Sequence, residues 1–284
     1  MLSIYEQENA LFERWMEHEK WIHKDGGKGM SDLAVEQVFC YDGLHFTGQA
    51  SDPQPNPDGS FWRVMKRDYM EEELWNKAYL KPVFLCKDHN SQGDTMGVDV
   101  REETGYANEK FYRFFYANYL CLLYGLTNYD HITNEFPAFD EASSLENYWD
   151  GEKGFFHAPV VRINLKKTMG ASSCPNYLLQ RYIDRDKNLI KEQIRIYKGA
   201  NVFVCCNGTE PKEKNPVLNL LKEWFDDLEH YRSEPSEYIW YSDKYKVIVI
   251  WEYHMSTPGV SKEEYYRCIP YLQQFLEEHK GFLD

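Results

Sequence analysis

The chain has 284 residues, of which 43% are hydrophobic, 16% aromatic and 27% charged. This length and composition are typical of a globular protein with one large domain or two small ones, and they exclude a disordered chain and a small disulfide-stapled peptide. The 32 Lys and Arg residues are outnumbered by 46 Asp and Glu, which gives a formal net charge of −14. Taken alone, this charge disfavours nucleic acid as a partner, because phosphate binding requires local positive charge.

The sequence predicts an intracellular, cytoplasmic protein without a membrane segment. No apolar run approaches the roughly 18 residues that a membrane helix needs, and the mean hydropathy is −0.67. The first residues, MLSIYEQENALFERW, contain acidic residues where a secretory signal would be basic. The seven cysteines are scattered and form no C-x-x-C motif, which is typical of reduced thiols and predicts neither a bound metal nor another cofactor.

The first 80 residues have an irregular pattern and predict an N-terminal extension that packs on the remainder. An amphipathic helix is predicted over about 4–22. The segment SDPQPNPDGS holds three prolines and a glycine and predicts a loop. Apolar residues recur every three or four positions in FWRVMKRDYMEEELWNKAYL, which predicts a second helix. We expect residues 81–284 to form the core, so that the whole chain is a single domain.

Four short apolar runs predict strands that are buried on both faces. They are PVFLC (82–86), PVVRINL (159–165), NVFVCC (201–206) and YKVIVIW (245–251). Helical patterns accompany them at about 107–125, 184–198, 215–230 and 261–279. Strands that alternate with helices favour parallel pairing, so we predict an α/β fold with three α/β/α layers around a four-stranded parallel sheet.

The residues that follow these strands are candidates for a functional site, because ligands of α/β proteins bind at the carboxyl ends of parallel strands. The polar residues there are Lys87, Asp88, His89, Asn90, Asn164, Lys166, Lys167, Asn207, Glu252, Tyr253, His254 and Ser256. No G-x-S-x-G elbow and no glycine-rich phosphate loop is present. A carboxylate, amides and an imidazole predict a site that reads a polar planar ligand and activates water.

The order of these strand ends resembles that of the uracil-DNA glycosylase superfamily. Cys86-Lys87-Asp88-His89-Asn90 is similar to the family's G-Q-D-P-Y motif, Ile163-Asn164-Leu165 to its base-reading strand end, and His254-Met255-Ser256-Thr257-Pro258 to its H-P-S-P motif. The run VFVCCNG ends in Gly208, as the family's third strand ends in a glycine, and Tyr41-Asp42-Gly43 is similar to an element before the first strand. The resemblance covers roughly residues 80–280.

The resemblance implies hydrolysis of the N-glycosidic bond of a flipped, deaminated or damaged base in DNA. Asp88 would orient water and stabilise the oxocarbenium-like sugar, and His254 would donate a hydrogen bond to the departing base. Asn164 would pair with the edge of the base, with Asn90 beside it. Asn90 stands where the best-known branch has a tyrosine that excludes the thymine methyl group, so the resemblance does not identify which base is cleaved.

Contacts with phosphate are expected from Lys166, Lys167, Ser256 and Thr257. These two lysines begin a window, residues 162–198, that holds nine basic and three acidic residues and is positive within the acidic chain. This window makes local contact with DNA compatible with the net charge, although the same residues could lie on a solvated helix face.

Several alternatives remain open from the residues alone. Asp88 could cap a helix, and Asn164 could bond a neighbouring backbone group. The chain could be a catalytically inactive glycosylase-like module that binds a nucleotide, single-stranded nucleic acid or a protein partner. A third reading is an unrelated hydrolase of a small metabolite.

Overall fold

The structure is a computed structural model that describes residues 2–23, 39–50, 54–55, 61–63, 65–87, 98–102, 105–107, 115–144, 157–168, 174–206, 215–231, 238–255, 257 and 259–284. Two of the candidate site residues at the end of the first predicted strand, Asp88 and Asn90, lie outside these ranges, and so does Ser256.

Eight α-helices lie within the described ranges. They are α1 (Ile4–His23), α2 (Glu71–Lys77), α3 (Phe115–Thr127), α4 (Phe139–Ala142), α5 (Asn176–Ile196), α6 (Pro216–Trp224), α7 (Lys262–Tyr266) and α8 (Cys268–Glu278). A short 3-10 helix spans Val100–Glu102.

The same ranges contain fourteen strands. They are β1 (Cys40–Tyr41), β2 (Gly43–Leu44), β3 (Gly48–Ala50), β4 (Gln54–Pro55), β5 (Phe61–Arg63), β6 (Met65–Arg67), β7 (Pro82–Cys86), β8 (Val98–Asp99), β9 (Gly105–Ala107), β10 (Val161–Asn164), β11 (Val202–Cys206), β12 (Glu229–His230), β13 (Ile239–Ser242) and β14 (Val247–Glu252).

The central sheet has seven strands among the described residues, in the order β12-β13-β14-β11-β7-β10-β2. Its middle is a parallel core of four neighbours, β10, β7, β11 and β14. These are the four strands that the apolar runs predict, and their residues are buried throughout. The mixed α/β class and the four core strands are therefore confirmed.

Three antiparallel strands extend this core, so the sheet is wider than the four strands predicted. On one side β2 pairs with β10, and on the other β13 pairs with β14 and β12 with β13. Both outermost strands are only two residues long. Segments this short carry too few residues to show an alternating pattern in the sequence.

Helices cover both faces of the central sheet because its alternate side chains are apolar on both sides. One hydrophobic cluster joins Phe84, Val204 and Ile250 to side chains of α3, α7 and α8. The other joins Val83, Phe203 and Val249 to side chains of α1, α5 and α6. The N-terminal helix α1 thus contributes to the same core as the parallel strands.

The segment 61–80 differs from the single helix that its apolar spacing predicts. It contains β5, β6 and only the short helix α2, and β6 pairs antiparallel with β3. Tyr69 separates strand from helix with a φ of +63°, a left-handed conformation that no α-helix continues through. Strand pairing with a distant part of the chain has overridden the local periodicity here.

Candidate functional site

The candidate site lies at the carboxyl edge of the parallel core. Asn164 is in register with Cys86, and Cys206 is in register with Glu252. The chain passes from β7 to β10 on one side and later places β11 on the other side of β7, so the strand order reverses at β7. Crevices at such reversals are the usual ligand sites of open α/β sheets.

His254 follows β14 in a tightly anchored turn. Its carbonyl oxygen accepts hydrogen bonds from the amide and the hydroxyl of Thr257, both at 2.7 Å, and from the hydroxyl of Tyr265 at 2.5 Å. The next carbonyl, that of the buried Met255, accepts a bond from Asn118 Nδ2 at 2.7 Å. Side chains of α3 and α7 therefore hold the backbone that carries the imidazole.

The imidazole of His254 is neutral at physiological pH. Its burial, and then the positive charge of Lys87 at the end of β7, lower the pKa of His254 to about 4. A neutral imidazole keeps one N–H that can donate a hydrogen bond without carrying a charge. The charge of Lys87 at the end of β7 therefore acts on the imidazole that follows β14.

Asn164 lies at the opposite side of the parallel core and is 3% exposed. Its backbone N–H donates to Asp42 Oδ2 at 2.7 Å, and its Nδ2 donates to Cys40 Sγ at 3.3 Å. Since β10 and β14 are three strand spacings apart, about 14 Å separates their backbones. A ligand that contacts both Asn164 and His254 must therefore extend across the ends of β7 and β11.

Asp42 organises the polar groups below Asn164. Besides the Asn164 amide, its carboxylate accepts bonds from Lys167 Nζ and from Gln193 Nε2, the latter at 2.8 Å. Gln193 also contacts the hydroxyl of Tyr197, which donates to Glu8 of α1. This buried network connects the end of β10 to α5 and α1.

The two lysines assigned to phosphate are used inside the protein. Lys167 has no exposed surface and is paired with Asp42. Lys166 is 6% exposed, and its ammonium donates to the carbonyl of Thr168 at 2.8 Å. We correct the assignment of both to phosphate, because a buried ammonium held by internal acceptors cannot reach a solvated backbone of DNA.

The basic side chains of residues 162–198 are also less available for contact with phosphate than the composition of this window indicates. Five of its nine basic side chains are buried or paired with carboxylates: Arg162, Lys166, Lys167, Arg185 and Lys187. Arg185 binds Glu19 of α1 together with Asp186, so part of this charge holds α1 to α5. Thr257 remains a predicted phosphate contact, and its hydroxyl closes the turn at His254.

Glu252 is a buried acid beside the candidate site. It is 1% exposed at the end of β14, and burial raises its pKa well above the usual 4.5. Hydrogen bonds from the thiol of Cys268 and the amide of Tyr253 lower the pKa of Glu252, but by less than burial raises it. Burial therefore favours the protonated form of Glu252 more strongly than in an exposed glutamate.

Sequence reasoning missed the residues that position the site. Asn118 and Tyr265 bind the carbonyls of Met255 and His254, and Asp42 binds the amide of Asn164. One signal was available for Asn118, which is the single polar side chain between Ala117 and Leu123 other than a tyrosine. For Asp42, the signal in the sequence is the stretch Tyr41-Asp42-Gly43, which is similar to a glycosylase element.

The part of the chain that the structure describes lacks two features. No helix there is long and apolar enough to cross a membrane. No cluster of three or more His, Cys, Asp or Glu side chains there has a geometry that could hold a metal ion.

The chain matches no protein-family model, no curated protein and no solved structure.

Proposed function

We propose that the chain is a uracil-DNA glycosylase-like hydrolase that cleaves the N-glycosidic bond of a flipped base. The observation that carries the proposal is the neutral, anchored imidazole of His254 at one end of the four-stranded parallel core, with the amide-bearing Asn164 at the other. In the sequence, Asp88 comes two residues after Cys86, the last residue of β7.

The chemistry of this bond requires stabilisation of two opposite charges. The sugar becomes positive, and Asp88 would stabilise it and orient the attacking water. The departing base becomes negative, and the N–H of His254 would donate to it. Lys87, whose charge lowers the pKa of His254, adds a positive charge on the same side. A neutral donor suits this role, because it strengthens its bond as negative charge develops and loses no proton beforehand.

Base selection would fall to Asn164. Its Nδ2 donates one hydrogen to Cys40 Sγ, which fixes the orientation of the amide. The second hydrogen of Nδ2 and the carbonyl oxygen are the groups that could pair with the edge of a base. Because Asn164 is buried, such a base must be extruded from its helix and enter deeply between the strand ends.

The direct test is base excision from defined oligonucleotides. Single- and double-stranded substrates containing uracil, hypoxanthine or a thymine mismatch are incubated with the purified protein, and abasic sites are detected by alkaline cleavage. We expect excision that falls by at least about a hundredfold in Asp88→Asn and in His254→Ala. The exposed Asp243→Asn and His131→Ala serve as matched controls and should retain full activity.

A module that binds a nucleotide, single-stranded nucleic acid or a protein partner without catalysis is the second candidate. The internal bonding of Lys166 and Lys167 favours it over the glycosylase only in so far as it removes two contacts that would hold a DNA substrate. This candidate predicts no excision, and any oligonucleotide binding should be unchanged by Asp88→Asn. Neither excision nor binding at low salt would reject both the glycosylase and a module that binds single-stranded nucleic acid.

A further inference from the structure

An exposed apolar surface lies at the start of α1, away from the candidate site. Eight large hydrophobic side chains of the described residues are exposed, and four of them lie here: Leu2, Tyr5, Tyr69 and Met70, which are 58%, 40%, 74% and 36% exposed. We call these four residues the Tyr69 patch. Two of them, Tyr5 and Tyr69, line a cavity of about 190 Å³ together with Phe46. The charged side chains of its wall are Glu8, Arg67, Glu71 and Glu72.

Tyr69 is held in a strained conformation at the centre of this patch. Its φ of +63° is unfavourable for a bulky residue and costs free energy of folding. The neighbouring Asp68 fastens the turn, because its amide donates to the carbonyl of Thr47 and its carboxylate accepts from the Thr47 hydroxyl and the Met70 amide. The ring nevertheless remains 74% exposed. The strained turn thus presents the Tyr69 ring to solvent rather than to the core.

Arg67 orders the rings around the cavity. Its guanidinium carbon lies 3.5 Å from the centroid of Phe46, 4.6 Å from that of Tyr69 and 4.9 Å from that of Tyr5. Its Nε donates to Glu71 Oε1 at 3.1 Å, so the guanidinium itself is fixed. Tyrosine, methionine and arginine are enriched at the centres of protein interfaces. Fixed side chains also reduce the entropy lost on binding.

The surroundings of the patch are acidic. Glu6, Asp68 and Glu73 are exposed there and Glu72 is half-buried. The basic residues nearby are the exposed Lys66, together with Arg67 and Lys77, which pair with Glu71 and Glu73. Glu72 also accepts a bond from the amide of Ile4, which joins α2 to the start of α1. A second copy of this chain would bring a net charge of −14 against this acidic rim. Charge complementarity therefore favours a basic partner over self-association.

We propose that the Tyr69 patch is a docking site for a basic segment of another protein, which inserts one leucine- or phenylalanine-sized side chain into the cavity. A cavity of about 150 Å³ is known to accommodate benzene, so about 190 Å³ holds one such side chain. The ring of Tyr69 forms one wall, and the carboxylates of the rim bind the flanking lysines or arginines. This inference is independent of the proposed function.

The experiment uses synthetic peptides and the full chain. The probe is the amidated peptide KKLKKFKK with a fluorescent label, and its controls replace every lysine by glutamate or both apolar residues by alanine. Fluorescence anisotropy measures binding to the unaltered protein, to Tyr69→Asn and to the matched variant Tyr177→Asn, which changes an equally exposed tyrosine on α5. Asparagine tolerates the left-handed conformation, so Tyr69→Asn should fold at least as stably as the unaltered chain.

The expected result is binding of KKLKKFKK that Tyr69→Asn weakens by about tenfold or more and Tyr177→Asn leaves unchanged. Both control peptides should bind far more weakly. The proposal is overturned if KKLKKFKK fails to bind, if Tyr69→Asn binds it as well as the unaltered protein, or if the glutamate peptide binds equally. A dimer in analytical ultracentrifugation that Tyr69→Asn dissociates would also overturn it, because a second copy would then be the occupant.

Discussion

Lys167 donates a hydrogen bond to the carboxylate of Asp42, and both side chains are completely buried below the end of β10. The two residues lie 125 positions apart in the chain. Asp42 uses its other oxygen for the backbone amide of Asn164. The pair therefore joins the strand end that carries the proposed base-reading amide to the rest of the core.

Removal of one partner should be costly. Lys167→Met leaves the Asp42 carboxylate buried without its cation, and we expect a loss of about 3–5 kcal/mol in the free energy of unfolding, measured by denaturant titration. Lys187→Met is the matched control, because Lys187 forms an exposed ion pair with Glu223 and its loss should cost less than about 1 kcal/mol. Equal effects of the two variants would contradict the structural role of the buried pair.

The double variant Asp42→Asn/Lys167→Met separates charge from packing. It removes both charges, so we expect it to be more stable than Lys167→Met alone. A double variant at least as unstable as the single one would show that the bonds of the Asp42 carboxylate to Asn164 and Gln193 matter more than its unpaired charge.

His254 should titrate far below an ordinary histidine. The pKa of about 4 is lower than the usual 6.5, because burial and Lys87 disfavour the imidazolium. Its contribution to stability is therefore complete above about pH 6.5 and is lost as the pH falls through 4. NMR of the imidazole protons should show no titration of His254 between pH 8 and 5. If the protein excises bases, His254 should remain neutral, and the excision that depends on it should therefore continue, down to about pH 5.

A substitution tests the cause of this low pKa. Lys87→Met removes the nearby positive charge, so the pKa of His254 should rise in this variant while burial keeps it below 6.5. A titration midpoint near 6.5 in the unaltered protein would contradict the burial of this imidazole.

Glu8 should make the docking of α1 sensitive to pH. Burial raises its pKa to about 7 from the usual 4.5, although Arg101 and Tyr197 bind its carboxylate. A raised acid pKa stabilises the fold fully below about pH 4.5, and this contribution is lost as the pH rises through 7. Between pH 5 and 8 the unaltered protein should lose roughly 2 kcal/mol more than Glu8→Gln does.

The control for this measurement lies on the same helix. Glu13 is exposed, so Glu13→Gln should reproduce the pH dependence of the unaltered protein. The measurement is denaturant unfolding at pH 5, 6, 7 and 8. A Glu8→Gln variant with the same pH dependence as Glu13→Gln would show that Glu8 does not change protonation in this range.

The cysteines should be unreactive in the native protein. All seven are among the described residues, form no disulfide and are buried, and burial raises the pKa of Cys40, Cys205, Cys206 and Cys268. The thiolate is the reactive form, so a chromogenic disulfide reagent should label the native chain slowly and all seven thiols rapidly after denaturation. A thiol that reacts within seconds in native buffer would contradict their burial.

Local pattern predicted the elements that are uniformly apolar. The runs at 82–86, 201–206 and 245–251 became strands with nearly the expected bounds, because a strand buried on both faces needs only apolar residues without a break. The helix expected at 261–279 is instead two helices, α7 and α8, which meet at Arg267. The prediction of a single helix at 61–80 was wrong, because part of this segment forms β6, which pairs with β3.

The candidate site was only partly accessible to such reasoning. His254 and Asn164 could be placed at strand ends, since parallel strands bring their carboxyl ends to one edge. Their environments could not be predicted. The pKa of His254 depends on burial and on Lys87, which is 167 positions earlier in the chain, and the partners of Asn164 come from residues 40 and 42.

The sequence by itself determined the α/β class, the four parallel core strands and the polar residues that end them, because hydrophobic periodicity is a local property of the chain. Only the tertiary structure decided which polar groups are buried. Lys166 and Lys167 look like free cations in the sequence, yet the fold places Thr168 and Asp42 against them and removes them from solvent. Desolvation depends on neighbours that are distant in the chain, and local pattern carries no information about them.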